Sequence, residues 1–323
     1  MRLGCKLALA GCLSAAGAAA TVPAAQAAFP GANGRIAFAA SAVRGDALPP
    51  SMSRSIDIAL PDGRRRRSLR GCVQVEGDPD RGDCAIEYRS PAWSPSGTRL
   101  AFDAGARLAL IRADGTGFRL LAQRTVDDAE PAWSPGGTRL VFSGAREAGG
   151  RPDLYIVDLR NGRLRRLTFK GGRSPAWSTR GRIAFVRGSR PKEPGYRPGA
   201  GDIYTLRADG THLRRITFHR GSDPAWSPHG SKLTFARQRR FGPFSIYLVR
   251  SDGRGLRRLA AGGADSPEQP SWAPDGGWIA YESFDSGVWA QRLDGRGVRQ
   301  VAYGAVGAEY AVSASAPDWQ PLR

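Results

Sequence analysis

The chain has 323 residues, 41 % of them hydrophobic, enough to bury a full core with no metal or cofactor to stabilise it. Its formal charge is +19, from 48 lysines and arginines against 29 acids; such a surplus attracts polyanions at low salt, although an arginine-favouring coding bias produces the same skew. Beyond the N-terminus no stretch is apolar for the roughly 18 residues a membrane-spanning helix requires, so the mature protein is expected to be soluble or tethered only by its N-terminus.

The first residues carry Arg2 and Lys6, then an Ala/Leu-rich stretch, then the small-x-small triplet Ala25-Gln26-Ala27. This pattern predicts a signal peptide over 1–27, an exported protein and a mature start near Ala28. A rival is the lipoprotein-like box Leu9-Ala10-Gly11-Cys12, which would place a lipid on Cys12 but leaves too short an apolar core before it. Removing the signal lowers the charge to +17 and leaves Cys72 and Cys84, in an insertion at 70–90, as a close pair expected to form a loop disulfide.

Near the mature start stands "NGRIAFAA", followed by "IDIALPDG" and "RRRRSLR". From there a repeat takes over, marked by Trp93, Trp133, Trp177, Trp226, Trp272 and Trp319 at spacings of 40, 44, 49, 46 and 47, the length of one four-stranded propeller blade. Each unit begins with a short strand ending Pro-x-Trp and a turn such as Ser94-Pro95-Ser96-Gly97. An apolar second strand follows (Leu100/Phe102, Leu140/Phe142, Ile183/Phe185, Leu233/Phe235, Ile279/Tyr281), its intervening residues also apolar or small, as sheets packed on both faces require. A third strand ends in an Asp-Gly or Asn-Gly hairpin turn, and an arginine-rich fourth strand carries the charge an exposed edge needs.

The chain stops on "APDWQPLR", a first strand with no second strand after it, while the first unit has a second strand with no Trp strand before it. The two halves predict one shared blade: an all-β, six-bladed propeller over 28–323 whose ring closes by pairing the Trp319 strand with the N-terminal blade.

On "PAWSPGGTRLVF … LYIVDLRNGRLRRLTF" the sequence resembles the WD40-like (PD40) repeats of TolB-type six-bladed propellers, which also occur in prolyl oligopeptidase-like enzymes. The resemblance covers about residues 31–323, with no room before Arg35 for the N-terminal α/β domain that TolB proper carries.

No Gly-x-Ser-x-Gly elbow or appended hydrolase domain accompanies the repeats, so an enzyme is not expected. His212, His219 and His229 fall at turns and strand ends, and Asp114, Asp209, Asp252 and Asp294 precede turn glycines, which are structural places; neither a cofactor nor a metal site is expected. The short turns lie on one side of the ring and the long irregular loops on the other, where a rigid scaffold positions function. Second-to-third-strand loops supply Arg187, Arg190, Arg197, Arg237, Arg239 and Arg240, and blade-to-blade loops supply Glu87, Asp127, Asp128, Glu130, Asp223 and Glu268. A basic collar around an acidic mouth predicts a monomeric binding module that docks an envelope or extracellular protein or peptide. The alternatives are a polyanion binder (wall polymer, glycan or extracellular nucleic acid) acting through the arginines, and a hydrolase or lyase using mouth carboxylates.

Overall fold

A computed structural model describes residues 28–44, 51–75, 86–122, 125–188, 201–218, 220–238, 242–259, 266–283, 287–302, 305–306 and 310–322. The signal-peptide assignment, the Cys12 box and Cys84 lie outside them, as do His219 and the arginines at 190, 197, 239 and 240; of Cys72 the backbone alone is described, in a strand.

Six antiparallel sheets make up the described chain, each a blade. Blade 1 contains β1 (Ala32–Arg44), β2 (Ser51–Ala59) and β3 (Arg67–Val75); blade 2 contains β4 (Tyr88–Trp93), β5 (Arg99–Ala104), β6 (Arg107–Arg112) and β7 (Arg119–Leu120). Blade 3 runs through β8 (Val126–Trp133), β9 (Arg139–Ala145), β10 (Asp153–Asp158) and β11 (Leu164–Arg166), and blade 4 through β12 (Arg173–Trp177), β13 (Arg182–Gly188), β14 (Gly201–Arg207) and β15 (Arg214–Arg215). Blade 5 is β16 (Ser222–Trp226), β17 (Lys232–Gln238), β18 (Phe244–Arg250) and β19 (Arg257–Arg258); blade 6 is β20 (Pro267–Trp272), β21 (Trp278–Ser283), β22 (Gly287–Arg292) and β23 (Arg299–Ala302). The chain then returns to blade 1 as β24 (Ala305–Val306) and β25 (Tyr310–Leu322), giving the order β24-β25-β1-β2-β3.

Ring closure is as the half-units demand: Ile36 lies opposite Trp319 and Ala37 opposite Asp318. Blade 1 departs from the expected four strands because β25 is long enough to fold a fifth, β24, back on itself. Its first connection is also shorter than the sequence suggested, since β1 and β2 pair out to Arg44 opposite Ser51. The arginine-rich fourth strands are outermost but only two to four residues long. In the Asp-Gly turns Asp114, Asp209, Asp252 and Asp294 each accept the backbone N–H two residues on, confirming a structural place.

Apolar side chains of facing blades merge into six buried clusters, one per interface, so every second strand is buried on both faces. Two of these clusters lie across the ring from each other, between blades 2 and 3 and between blades 5 and 6. Phe29 packs in the first, beside Ala92 and Trp133, and its neighbour Ala28 in the second, beside Ala225 and Trp272. Adjacent Cα atoms are ~3.8 Å apart, so these two residues must straddle the ring axis. The Ala28 N–H points to the Trp226 carbonyl at 3.4 Å, which places the crossing at the Trp end of the inner strands, and Phe29 is 5 % exposed. The N-terminal segment therefore plugs the channel on its short-turn side.

The seam also fixes a glycine. Gly97 and Gly137 occupy the same turn position in blades 2 and 3, at φ +66° and +65°. A Cβ on Gly97 would meet the Pro321 carbonyl oxygen at 2.1 Å, whereas one on Gly137 would find its nearest neighbour, Pro95 Cδ, at 3.6 Å. Gly137→Ala should therefore cost about 1 kcal/mol from its left-handed backbone alone, and Gly97→Ala several times more in parallel thermal melts. Equal losses would show that this turn does not bear on the seam.

Candidate functional site

Three residues before each repeat Trp, the inner strand breaks its register, and the residue at the break adopts a positive φ in all six blades: Ser90, Glu130, Ser174, Asp223, Gln269 and Ala316, at 48–59°. Non-glycine residues in this region each cost about 1–3 kcal/mol. A Pro follows every one of them, and all six are buried. A bulge frees a backbone N–H from the ladder and re-aims its side chain, so the freed groups form a ring around the axis that the ladder does not satisfy.

Carboxylates of the preceding blades satisfy several of these groups. Asp103 accepts the Glu130 N–H at 2.8 Å, Glu130 accepts the Ser174 N–H at 2.5 Å and hydrogen bonds from the Ser143 and Ser174 hydroxyls, and Glu282 accepts the Ala316 N–H at 3.4 Å. At the seam Asp318 accepts the Trp93 N–H at 2.6 Å and the Ser271 hydroxyl at 3.0 Å, clasping blades 1, 2 and 6. Burial pushes all four acids up: Asp103 well above the usual range, with the charge of Glu130 adding; Glu130 upward, held back by its serine donors; Glu282 to about 8, with Glu268 adding; and Asp318 to about 8 against its two donors.

Asp223 breaks the pattern. It is 1 % exposed, yet no group of another blade donates to either carboxylate oxygen and the adjacent Ser222 hydroxyl does not meet them in good hydrogen-bond geometry; in the next blade the buried Gln269 Oε1 has no partner either. Burial, then the charge of Glu268, push its carboxyl well above the usual range; the adjacent Ser222 hydroxyl pulls the other way, and the charges of Glu130 and Glu282 add to the rise. Four carboxylates thus stitch blades together, while a fifth, facing the same axis, offers two unused acceptors. Among the described residues no three His, Cys, Asp or Glu side chains converge as a metal cage.

The sequence-predicted acids separate accordingly. Asp127, Asp128, Glu130, Asp223 and Glu268 lie in inner strands rather than in loops, because the Trp strands begin earlier than the Pro-x-Trp signature shows. Glu87 pairs with Arg54 and Arg89 near the surface, and Asp127 is exposed with a φ of +55°. Asp128 turns away from the mouth into a cleft of about 190 Å³ between blades 2 and 3, lined by Leu108, Leu121, Phe142 and Leu164. There it accepts the Thr125 hydroxyl, and burial raises it to about 6.

Arg187 and Arg237, expected in loops, are the ends of strands β13 and β17. Arg187 packs over Phe185 and Tyr204, and Arg237 over Tyr247, with guanidinium carbons 4.9–5.5 Å from the ring centres. Sequence reasoning missed Asp103, Gln269, Glu282 and Asp318. Asp318 had a signal: it stands where the other repeats carry Ala92, Ala132, Ala176, Ala225 and Ser271.

Residues 83–193 match the family model described as the TolB beta propeller domain, PD40. A stretch of 103 residues, 29 % of the chain, is 34 % identical to the Tol-Pal system protein TolB of Gluconobacter oxydans and spans 23 % of that relative. Among solved structures, TolB from Acinetobacter baumannii superposes with a TM-score of 0.64 at 19 % identity, covering 89 % of this chain and 67 % of that one. A putative TolB from Agrobacterium tumefaciens gives 0.62 at 18 %, covering 90 % of this chain and all of that one. An oligogalacturonate lyase in complex with manganese gives 0.53 at 14 %, covering 85 % and 86 %. At these identities the superpositions establish the fold alone. No helix among the described residues is long and apolar enough to cross a membrane.

Proposed function

From a six-bladed propeller whose repeats are of the TolB type, we infer a docking module: an exported, non-catalytic protein that takes an envelope or extracellular protein on its irregular face. A cationic group of that partner reaches Asp223. The observation that carries this reading is the pair of Asp223 oxygens, buried among Glu130, Glu268 and Glu282 with no donor from another blade and only the poorly aligned Ser222 hydroxyl beside them. A buried acceptor left unpaired costs about 1–3 kcal/mol, and an arginine or lysine side chain would supply both the missing donors and the opposite charge. The plug formed by Ala28 and Phe29 at the opposite end supports entry from the bulge side.

The polyanion reading has less support, because Arg187 and Arg237 are engaged on aromatic rings in the blades. For the lyase reading, the likeness to a lyase is one of fold alone.

The test is affinity capture from the native envelope and culture fluid, eluted in a salt gradient, with wild type beside Asp223→Asn. A defined protein held by wild type at high salt, and weakened at least tenfold by the isosteric change (about 1.4 kcal/mol), is the expected result. Equal capture by both proteins would overturn the role of Asp223, and release of polyanions alone at modest salt would overturn the docking reading itself.

A further inference from the structure

The repeats of blades 3 and 4 end in "RLRRLTFK" and "HLRRITFHR", and each leaves a phenylalanine in solvent. Phe169 is 68 % exposed and Phe218 66 %, the two most exposed large apolar side chains among the described residues. At the same position the other repeats carry Gly71, Gln123, Ala261 and Tyr303. An isolated exposed apolar residue needs no explanation. A duplicated one, built the same way twice in neighbouring blades, does.

The construction is the same at both sites. The Arg166 guanidinium sits over the Phe169 ring, 4.8 Å from its centre, while its Nη2 donates to Asp153 at 2.5 Å and its Nε to the Thr168 carbonyl at 3.0 Å. The Arg215 guanidinium sits 4.7 Å from the Phe218 ring centre, its Nη2 donating to Asp202 at 2.5 Å and its Nε to the Thr217 carbonyl at 2.9 Å. The threonine between arginine and phenylalanine is fixed as well, since the Thr168 hydroxyl accepts the Leu154 N–H and the Thr217 hydroxyl the Ile203 N–H. Each ring is therefore held on one side by an arginine that is itself anchored to a carboxylate at the head of the third strand. Holding a ring in place beforehand removes part of the entropy cost that binding would otherwise carry.

Both rings lie where a fourth strand leaves for the next blade, on the irregular face. Their runs are cationic: residues 163–170 contain Arg163, Arg165, Arg166 and Lys170, residues 212–220 contain Arg214, Arg215 and Arg220, and neither run contains an acid. Rigid aromatics beside arginine are the composition of interface hot spots. A surface that reads charge alone has no use for two immobilised apolar rings.

We propose that Phe169 and Phe218 are twin anchors for an acidic segment of a partner protein, whose apolar side chains stack on the rings while its carboxylates face the flanking cations. This rests on the docking reading above and extends it, placing an acidic contact on the outer rim of the face that receives a cationic group at the axis. The partner so described carries charges of both signs.

The experiment pans a phage-displayed random dodecapeptide library against the purified protein, beside the Phe169→Ala/Phe218→Ala double variant. Both side chains are exposed, so the variant should melt with the wild type, and the comparison then reads binding alone. Peptides enriched on wild type should combine Asp or Glu with aromatic or aliphatic residues and lose at least tenfold in affinity on the variant, while polyglutamate binds both proteins alike. Wild-type peptides that bind the variant equally well would overturn the proposal, as would ring-dependent peptides without acids. Ring-dependent binding of an oligogalacturonate in place of any peptide would also overturn it, in favour of a glycan. In the capture experiment, loss with Asp223→Asn but not with the double variant would remove the anchors and keep the docking module; loss with neither would remove both.

Discussion

A chain ending at Ser315 should fail to form a closed ring. The missing residues include Trp319, 2 % exposed in the cluster between blades 6 and 1, and Asp318, whose carboxylate ties Ser271 to the Trp93 backbone. They also include Gln320, which donates to the Gly97 carbonyl at 2.8 Å and accepts the Arg35 N–H at 3.2 Å. Truncating a buried Trp to Ala costs about 3–5 kcal/mol by itself, and losing the second half of β25 leaves β1 from Ala32 to Ala37 without its partner, an open edge that invites association. The expected outcome is aggregation, or a fall in melting temperature of more than about 10 °C. Trp319→Ala, which keeps the strand, should fall in between and remain monomeric by size exclusion. A truncated protein that melts like wild type would show that closure is not what holds the ring.

The second large effect is an inverted pH dependence. Burial raises Asp103, Asp128, Glu130, Asp223, Glu282 and Asp318: Asp128 to about 6, Glu282 and Asp318 to about 8, Glu130 upward, and Asp103 and Asp223 well above the usual range. A carboxyl with a raised folded-state value binds its proton more tightly folded than unfolded, so its stabilising contribution is complete at low pH and is lost as pH rises through the folded value. The window here runs from the ordinary carboxylate range up to about 8. On the acid side the turn aspartates act in the opposite sense: Arg160 lowers Asp158 to about 2, and Asp62, Asp114, Asp209 and Asp252 are also lowered, so their small, solvent-screened contributions fade as pH falls below the usual range. Melting temperature should peak near pH 5 and decline by roughly 5 to 10 °C towards pH 9. Glu282→Gln should flatten that decline, while Asp158→Asn should leave it unchanged. A melting temperature that climbs from pH 5 to 8 would contradict the ring of protonated acids.

The blade count, the strand order, the turn chemistry and the shared first blade were all legible in the sequence. They repeat with a fixed period, and each rests on local preferences: Pro and Gly in turns, an apolar run in the second strand, charge on the outer edge. The site was legible in part. Glu130 and Asp223 were selected as mouth acids because they lie in the segments that lead from one blade into the next, but Asp127 and Asp128, close to Glu130 in the sequence, drew equal attention and point elsewhere. Side-chain direction reverses at a bulge, and although a Pro follows every bulge residue, the residues themselves are as different as Ser90, Glu130, Gln269 and Ala316, so the Pro-x-Trp signature does not tell which way an acid beside it turns. What only the tertiary structure decided is which acids meet across blade interfaces: Asp103 with Glu130, Glu282 with Ala316, Asp318 with Trp93, and Asp223 with no donor of another blade. Those partners are 27 to 225 residues apart, brought together by closing the ring, and a carboxylate's burial and donors depend on what the fold places beside it rather than on its neighbours in the chain.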